Sequence, residues 1–331
     1  MDGSLQATVQ SLLASGRLQD AWFLLQARAR QGDRVALFQI ATWLLAGEHV
    51  PRDLGKARRL LRQAAQLGHG DAARFEIALR GNGSGGPVDW PGAVALLRTA
   101  AARDEVAGEH LALLDRMDLT ADGGPAALPA PEKLTGDGAV VRFAGLLTAG
   151  ECVHVARAAA DLLAPTVVVD PSTGRQVPHP IRTSDGAVIG PTRETLVVQA
   201  INRRIAAASG TDWRQGEALA LLRYAPGQQY RAHFDTLPDT GNQRVTTVLV
   251  YLNDDFDGGE TSFPHHRLTV RPRTGDAVIF TNTLPDGSVD PRALHAGEPV
   301  RRGVKWLATR WIRARPFSPW TGPEVAIRSA P

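Results

Sequence analysis

Residues 217–263, EALALLRYAPGQQYRAHFDTLPDTGNQRVTTVLVYLNDDFDGGETSF, decide how the second half of the chain folds. The runs ALALLRY, QYRAHFD, RVTTVLVYL and ETSF are β-branched and aromatic, and Pro, Gly, Asn and Asp clusters that favour turns separate them. The pattern continues through RLTV, DAVIFT and VKWLATRWI. Short strands spaced this closely predict a double-sheet jelly roll or a sandwich. Upstream, AVVRFAGLLTAGECVHVARAAADLLA reads as a short strand, a cap at Thr148 and an amphipathic helix, and TRETLVVQAINRRIAAAS (192–209) as a second helix. Helices that precede the strands as a block disfavour a parallel α/β sheet.

Two side chains of the opening stretch carry chemistry. His233 and Asp235 are two residues apart in a strand pattern, which directs both to one face. A carboxylate facing a sheet interior is costly without a partner, and a metal is a partner that imidazole and carboxylate can share. Two histidines and one carboxylate suit non-haem Fe(II) with positions left open. The third ligand is expected to be a distal histidine on a later strand. His295 in ALHAGEPV is best placed, with His265 and His266, which follow Pro264 in a turn, as alternatives. A second His-x-Asp pair, His69-Gly70-Asp71, lies between helices where the preceding copy of the pattern has Asp33, and reads as a solvated turn.

Lys56, Lys133 and Lys305 are the only lysines in a chain whose positive charge is otherwise arginine. Lys305 nevertheless stands inside VKWLATRWI, ten residues after His295. A lysine there either snorkels from the strand end or meets an anion, for which the distal carboxylate of a dicarboxylic cosubstrate is the natural candidate.

Together, RYAPGQQYRAHFD (223–235), QRVTTVLVYLNDDFDGGETSFP (243–264) and LHAGEPVRRGVKW (294–306), with VRFAGLLTAGEC and IRTSDG (181–186) before them, resemble the prolyl 4-hydroxylase type of Fe(II)/2-oxoglutarate oxygenase over residues 138–314. The resemblance implies a double-stranded β-helix in which His233, Asp235 and His295 hold iron. It further implies that Lys305 binds the C5 carboxylate of 2-oxoglutarate, that Tyr224 hydrogen-bonds the same cosubstrate, and that Arg244 lies where the family contacts its peptide substrate. The other reading of Arg244 is a strand-end charge in solvent. Gly258, Gly259 and Glu260 are expected to shape a turn. The implied cofactors are Fe(II), 2-oxoglutarate and O2, with ascorbate (vitamin C) as a further candidate. NTLPDGSVDPRA (282–293) differs from the longer collagen-type enzymes in its flanks, and no collagen-type peptide-binding domain is recognisable, so collagen is not the expected substrate.

The first third of the chain repeats itself at 36 residues: Ala21, Ala57 and Ala93 align, as do Leu24-Leu25, Leu60-Leu61 and Leu96-Leu97. A fixed period of this size predicts stacked helical hairpins. GEHVPRDLGKARRLLRQAAQLGHGDA (47–72) resembles the Sel-one-like branch of the tetratricopeptide superfamily, which implies either a concave surface for a protein or peptide partner or a purely packing role. The expected organisation is therefore an α+β multidomain chain. Helical repeats span 1–118, a Pro/Gly/Ala linker 119–137, a jelly-roll oxygenase domain with flanking helices 138–316 (strand core 217–314) and a tail 317–331.

Composition narrows the partners. With 331 residues, 43% hydrophobic and 21% charged, the chain has material for a full core and is not wholly disordered. A net charge of +3 is too small to imply nucleic acid or membrane surfaces. Cys152 is the single cysteine, which excludes an intrachain disulfide and any thiolate cluster. No secretory leader or run of about 18 apolar residues is evident, so a cytoplasmic protein is expected. The expected activity is hydroxylation of a substrate C–H, foremost peptidyl proline, coupled to decarboxylation of 2-oxoglutarate. A hydroxylase of a free amino acid or small natural product, and a repeat-based adaptor with an inactive jelly roll, are the alternatives.

Overall fold

The computed structural model describes residues 2–169, 176–178 and 181–321. Two compact units emerge: Met1–Met117 with Ala121–Gly123 and Pro191–Gln199, and Asp118–Thr120 with Gly124–Gly190 and Ala200–Pro331.

The first unit is built from α1 (Asp2–Ala14), α2 (Leu18–Arg30), α3 (Arg34–Ala46), α4 (Leu54–Gln66), α5 (Gly70–Asn82), α6 (Trp90–Ala101) and α7 (Glu105–Leu114). α2 and α4 are offset by 36 residues, as are α3 and α5, so the sequence period is a period of helices. Ala21, Leu25, Ala57, Leu61, Ala93 and Leu97 are all buried, because small and long apolar residues at fixed spacing let each helix nest on the next. Asp33 and Asp104 cap α3 and α7 through side-chain oxygens. His69 does the same for α5, its Nδ1 accepting from the Ala72 amide at 3.3 Å while its ring lies 4.4 Å from Phe38. It is thus a capping residue, not merely a solvated turn.

In the second unit the chain forms β1 (Pro131–Lys133), β2 (Val140–Phe143), α8 (Ala149–Ala158), β3 (Ala164–Pro165), β4 (Val167–Val169), β5 (Gln176–Pro178) and β6 (Asp185–Val188). It continues through α9 (Leu196–Ser209), which begins among the residues of the first unit, to β7 (Ala220–Tyr224), β8 (Tyr230–His233), β9 (Arg244–Tyr251) and β10 (Asp257–Gly258). The remaining strands are β11 (Thr261–Phe263), β12 (Leu268–Val270), β13 (Ala277–Thr281), β14 (His295–Gly297), β15 (Val300–Arg302) and β16 (Lys305–Arg313). An eight-stranded sheet runs β1-β2-β13-β9-β16-β7-β6-β3, and a four-stranded sheet runs β12-β11-β14-β8. Side chains of both meet in one core: Leu222, Tyr224, Leu249, Tyr251, Phe280 and Leu307 from the large sheet, Phe263 and Val270 from the small. The architecture is α+β, helices first and a β-sheet domain after.

Three local expectations need correction. Within 119–137, Pro131–Lys133 forms an edge strand on β2, with proline at its first position where no ladder N–H is needed. The helix expected from 192 starts at Leu196, because the Thr195 hydroxyl accepts from the Val198 amide (3.3 Å) and so sets the cap there. Asp235 lies two residues beyond the end of β8 rather than within a strand. Of the tail 317–331, residues 322–331 lie outside the described residues.

Candidate active site

Strand register brings the two distant histidines together. β8 and β14 are antiparallel neighbours with His233 directly opposite His295, and the ring centroids are 4.2 Å apart. Each imidazole is anchored in the same way, by Nδ1 on the carbonyl two residues upstream: Arg231 O at 2.7 Å for His233, Ala293 O at 3.0 Å for His295. A carbonyl can only accept, so both Nδ1 atoms carry hydrogen and both Nε2 lone pairs face inward. Asp235 meets them there, Oδ1 3.5 Å from His233 Nε2 and Oδ2 3.6 Å from His295 Nε2. The three donor atoms lie within 4.8 Å of one another. Burial pushes the His295 pKa down to about 4, so the ring is neutral and its lone pair is available. Burial also opposes ionisation of Asp235, but the charge that His295 takes up at the acidic pH where the carboxyl would protonate, together with the hydrogen bond from the Thr247 hydroxyl, outweighs it and holds the carboxyl well below the usual range. Two imidazoles anchored through Nδ1 and one carboxylate around a small common centre fit a divalent transition metal.

The carboxylate has a support that sequence reading missed. Thr247 Oγ1, on β9, donates to Asp235 Oδ2 at 2.7 Å, and Asn282 Nδ2 donates to Thr247 Oγ1 at 2.9 Å. Both are buried, with 0% and 1% exposure. No motif spacing links residues 235, 247 and 282; a threonine in the middle of an otherwise apolar inward face was the only available sign.

Lys305 enters from the large sheet, where it is paired directly across from Tyr224. It is 2% exposed, and its ammonium donates to the Gly259 carbonyl at 2.7 Å. Burial drives its pKa down to about 8, although the Glu260 carboxylate pulls the other way. The ammonium does not snorkel outward; it lies 5.4 Å from the Tyr224 ring and 5.6 Å from the Tyr251 ring. Gly258 and Gly259 take φ of 77° and 66°, a left-handed turn that aims the Gly259 carbonyl at the lysine. Tyr224, Lys305, His233, Asp235 and His295 line one narrow cavity of about 30 Å3.

Arg244 is not a free strand-end charge. Its Nε and Nη2 grip both oxygens of Glu217 at 2.7 and 2.8 Å, and its guanidinium lies 4.1 Å over Trp311, which lines the same cavity. His265 and His266 occupy a 3-10 turn at Pro264–His266 and do not join the His233, Asp235 and His295 group.

Residues 219–313 match the 2OG-Fe(II) oxygenase superfamily. The chain is 36% identical over 207 residues to Prolyl 4-hydroxylase 1 of Arabidopsis thaliana, covering 57% of this chain and 73% of that protein. Among solved structures, the viral collagen prolyl hydroxylase of Paramecium Bursaria Chlorella virus-1 is 28% identical, with a TM-score of 0.45 over 54% of this chain and 97% of that one. A Sel1 repeat protein from Oxalobacter formigenes is 35% identical, with a TM-score of 0.28 over 30% of this chain and 29% of that one. By its identity to the plant enzyme across nearly three quarters of that protein's length, the chain belongs to the prolyl 4-hydroxylase family of 2OG-Fe(II) oxygenases.

Proposed function

We propose that the protein is an Fe(II)- and 2-oxoglutarate-dependent hydroxylase of peptidyl proline, with His233, Asp235 and His295 as metal ligands and Lys305 and Tyr224 as cosubstrate partners. The observation that carries this is the convergence of two anchored Nε2 lone pairs and one carboxylate beside a buried, unneutralised ammonium. Iron, when bound, supplies the activation of O2 that couples conversion of 2-oxoglutarate to succinate and CO2 with insertion of one oxygen atom into a substrate C–H. The protein's part is geometric and electrostatic. His233 and His295 present their lone pairs without rotating, because the Arg231 and Ala293 carbonyls fix both rings. Lys305 offers one positive charge at a fixed depth, so a dicarboxylate is oriented with one end on the ammonium and the other toward the ligands. Space for about one water among these side chains means that cosubstrate entry must move some of them.

The two packed sheets support reading this unit as a jelly roll, with domain limits at 138–316. The 36-residue helical offsets support Sel-one-like repeats over 1–118, where a polypeptide substrate or partner would dock. No helix among the described residues is long and apolar enough to cross a membrane. The intact set of five site residues speaks against an inactive adaptor. Anaerobic titration with Fe(II) and 2-oxoglutarate tests the reading. A metal-to-ligand charge-transfer band that is absent in His295→Ala and retained in His265→Ala and His266→Ala is expected; its absence from the wild type refutes the enzyme. Mass spectrometry of proline-containing peptides for a gain of one oxygen separates the prolyl reading from a small-molecule hydroxylase.

A further inference from the structure

In the middle repeat, α4 and α5 carry charge where the sister repeats carry apolar side chains. At the 36-residue spacing Arg58 takes the place of Trp22 and Val94, and Glu76 that of Ile40 and Ala112. Both charged residues are buried, 7% and 2% exposed, with Arg58 Nε 3.3 Å from Glu76 Oε2 and Arg62 Nη2 3.2 Å from Glu76 Oε1. Burying an ion pair costs desolvation that its attraction often fails to recover, and apolar residues of similar volume commonly hold such a seam as well or better. The neighbouring repeats do fold with apolar residues there. Packing therefore does not account for the pair.

The guanidiniums converge instead on a cavity of about 280 Å3 lined by Arg58, Arg59, Arg62, Arg80 and Asp89. Arg58 bonds Glu76 through Nε alone; among the described residues nothing accepts from its two Nη atoms, and Arg59 has no partner. Arg80 is held by Asp89 at 2.5 Å. Four cations face two carboxylates, Glu76 and Asp89, which leaves two charges unmatched. The opposite wall is glycine: a Cβ on Gly86 would fall 2.7 Å from Arg58 Nη1, so the missing side chain is what keeps that fork accessible.

We propose that this cavity binds a phosphate group, either as the free ion or as a monoester on a partner polypeptide. A phosphate dianion supplies two charges for the two unmatched cations, and its oxygens accept from planar N–H forks better than any single point donor could arrange. The site is independent of the oxygenase chemistry, so its failure would leave that reading untouched.

Isothermal titration of the full chain tests it, first with inorganic phosphate in chloride-matched buffer, then with a phosphoserine peptide and its unphosphorylated counterpart. Saturable binding is expected, weakened about tenfold or more in Arg59→Ala and in Gly86→Ala, with 2-oxoglutarate turnover of both variants unchanged. Arg59 is exposed and Gly86 needs no left-handed backbone, so neither change threatens folding, whereas removing Arg58 would strand Glu76. Tighter binding of the phosphopeptide than of free phosphate assigns the site to a partner; the reverse order assigns it to the ion. No saturable binding, equal binding of the phosphorylated and unphosphorylated peptides, or undiminished affinity in either variant overturns the proposal.

Discussion

At the scale of single residues, the site depends on side chains that never touch the metal. Thr247 fixes one oxygen of Asp235 and is itself fixed by Asn282, so the carboxylate cannot rotate away from the histidines without breaking a buried hydrogen bond whose donor is held in place. Thr247→Val keeps the shape and removes the donor; it is expected to lower Fe(II) or Co(II) affinity by about 10- to 100-fold, the usual range for a group that orients a ligand. Thr247→Ser should restore most of it. Equal metal affinity in wild type and Thr247→Val, read by anaerobic titration, would mean that the relay is decorative. Lys305 gives a prediction with a pH sign. Its folded pKa of about 8 is below the ordinary lysine value, so the folded state sheds its proton as pH rises through 8 while the unfolded chain keeps it. Stability should therefore rise between about pH 8 and 10.5, and 2-oxoglutarate affinity should fall over the lower part of that window, because the cosubstrate needs the charge. Lys305→Ala should raise the 2-oxoglutarate requirement about 10- to 100-fold at pH 7 and abolish this pH dependence, with metal binding retained. A flat affinity profile from pH 7 to 9 in the wild type would remove the ammonium from the binding step.

At the scale of elements, what could be read in advance depended on length. β9 and β16 are long, apolar and β-branched, and their presence was plain from RVTTVLVYL and VKWLATRWI. β14, by contrast, has three residues, and HAG carries no strand signal of its own; it exists because β8 and β11 pair with it on either side. His295 was nonetheless legible as a candidate, since a histidine is chemically conspicuous where a three-residue strand is not. The relay from Asp235 to Asn282 was illegible for the opposite reason. Threonine and asparagine are common in turns and strands, and only the folded sheet shows that these two are buried and in contact. Helix starts were readable wherever the cap was a side chain of the expected type. Thr148 and Glu151 form a full capping box on α8, bonding each other's backbone at 3.3 and 2.8 Å. Thr148→Ala is expected to cost about 1 kcal/mol, with Thr148→Asn nearly neutral. Chemical denaturation of the two variants checks this, and equal losses would deny the cap its role.

At the scale of the whole molecule, the helical repeats cannot be treated as a detachable attachment. The first unit draws on a second stretch of chain, Pro191–Gln199, as well as on the N-terminal helices. Within it, Gln199 Nε2 donates to the Ala78 carbonyl at 2.9 Å, and Asn82 Nδ2 donates to the Pro191 carbonyl at 3.0 Å. Gly81 is glycine by necessity of space, for a Cβ there would fall 2.6 Å from the Leu196 side chain and 2.5 Å from that of Gln199. Leu196 and Gln199 are 1% and 2% exposed, and they open the same helix, α9, that continues to Arg204 and its two-pronged bond to Glu151. Deleting residues 1–118 therefore uncovers apolar and polar groups whose burial contributes several kcal/mol, at about 1.5–3 kcal/mol for a leucine-sized side chain. The fragment is expected to melt on the order of ten degrees below the full chain, given a few degrees per kcal/mol for a domain of this size. Circular dichroism melts of the two forms decide it. An unchanged midpoint would show that α9 holds its first turn without the repeats. A depressed midpoint would mean that any loss of hydroxylation in the fragment reflects a loosened scaffold first. The contribution of the repeats to substrate binding would then have to be measured in the full chain, with exposed substitutions such as Arg59→Ala.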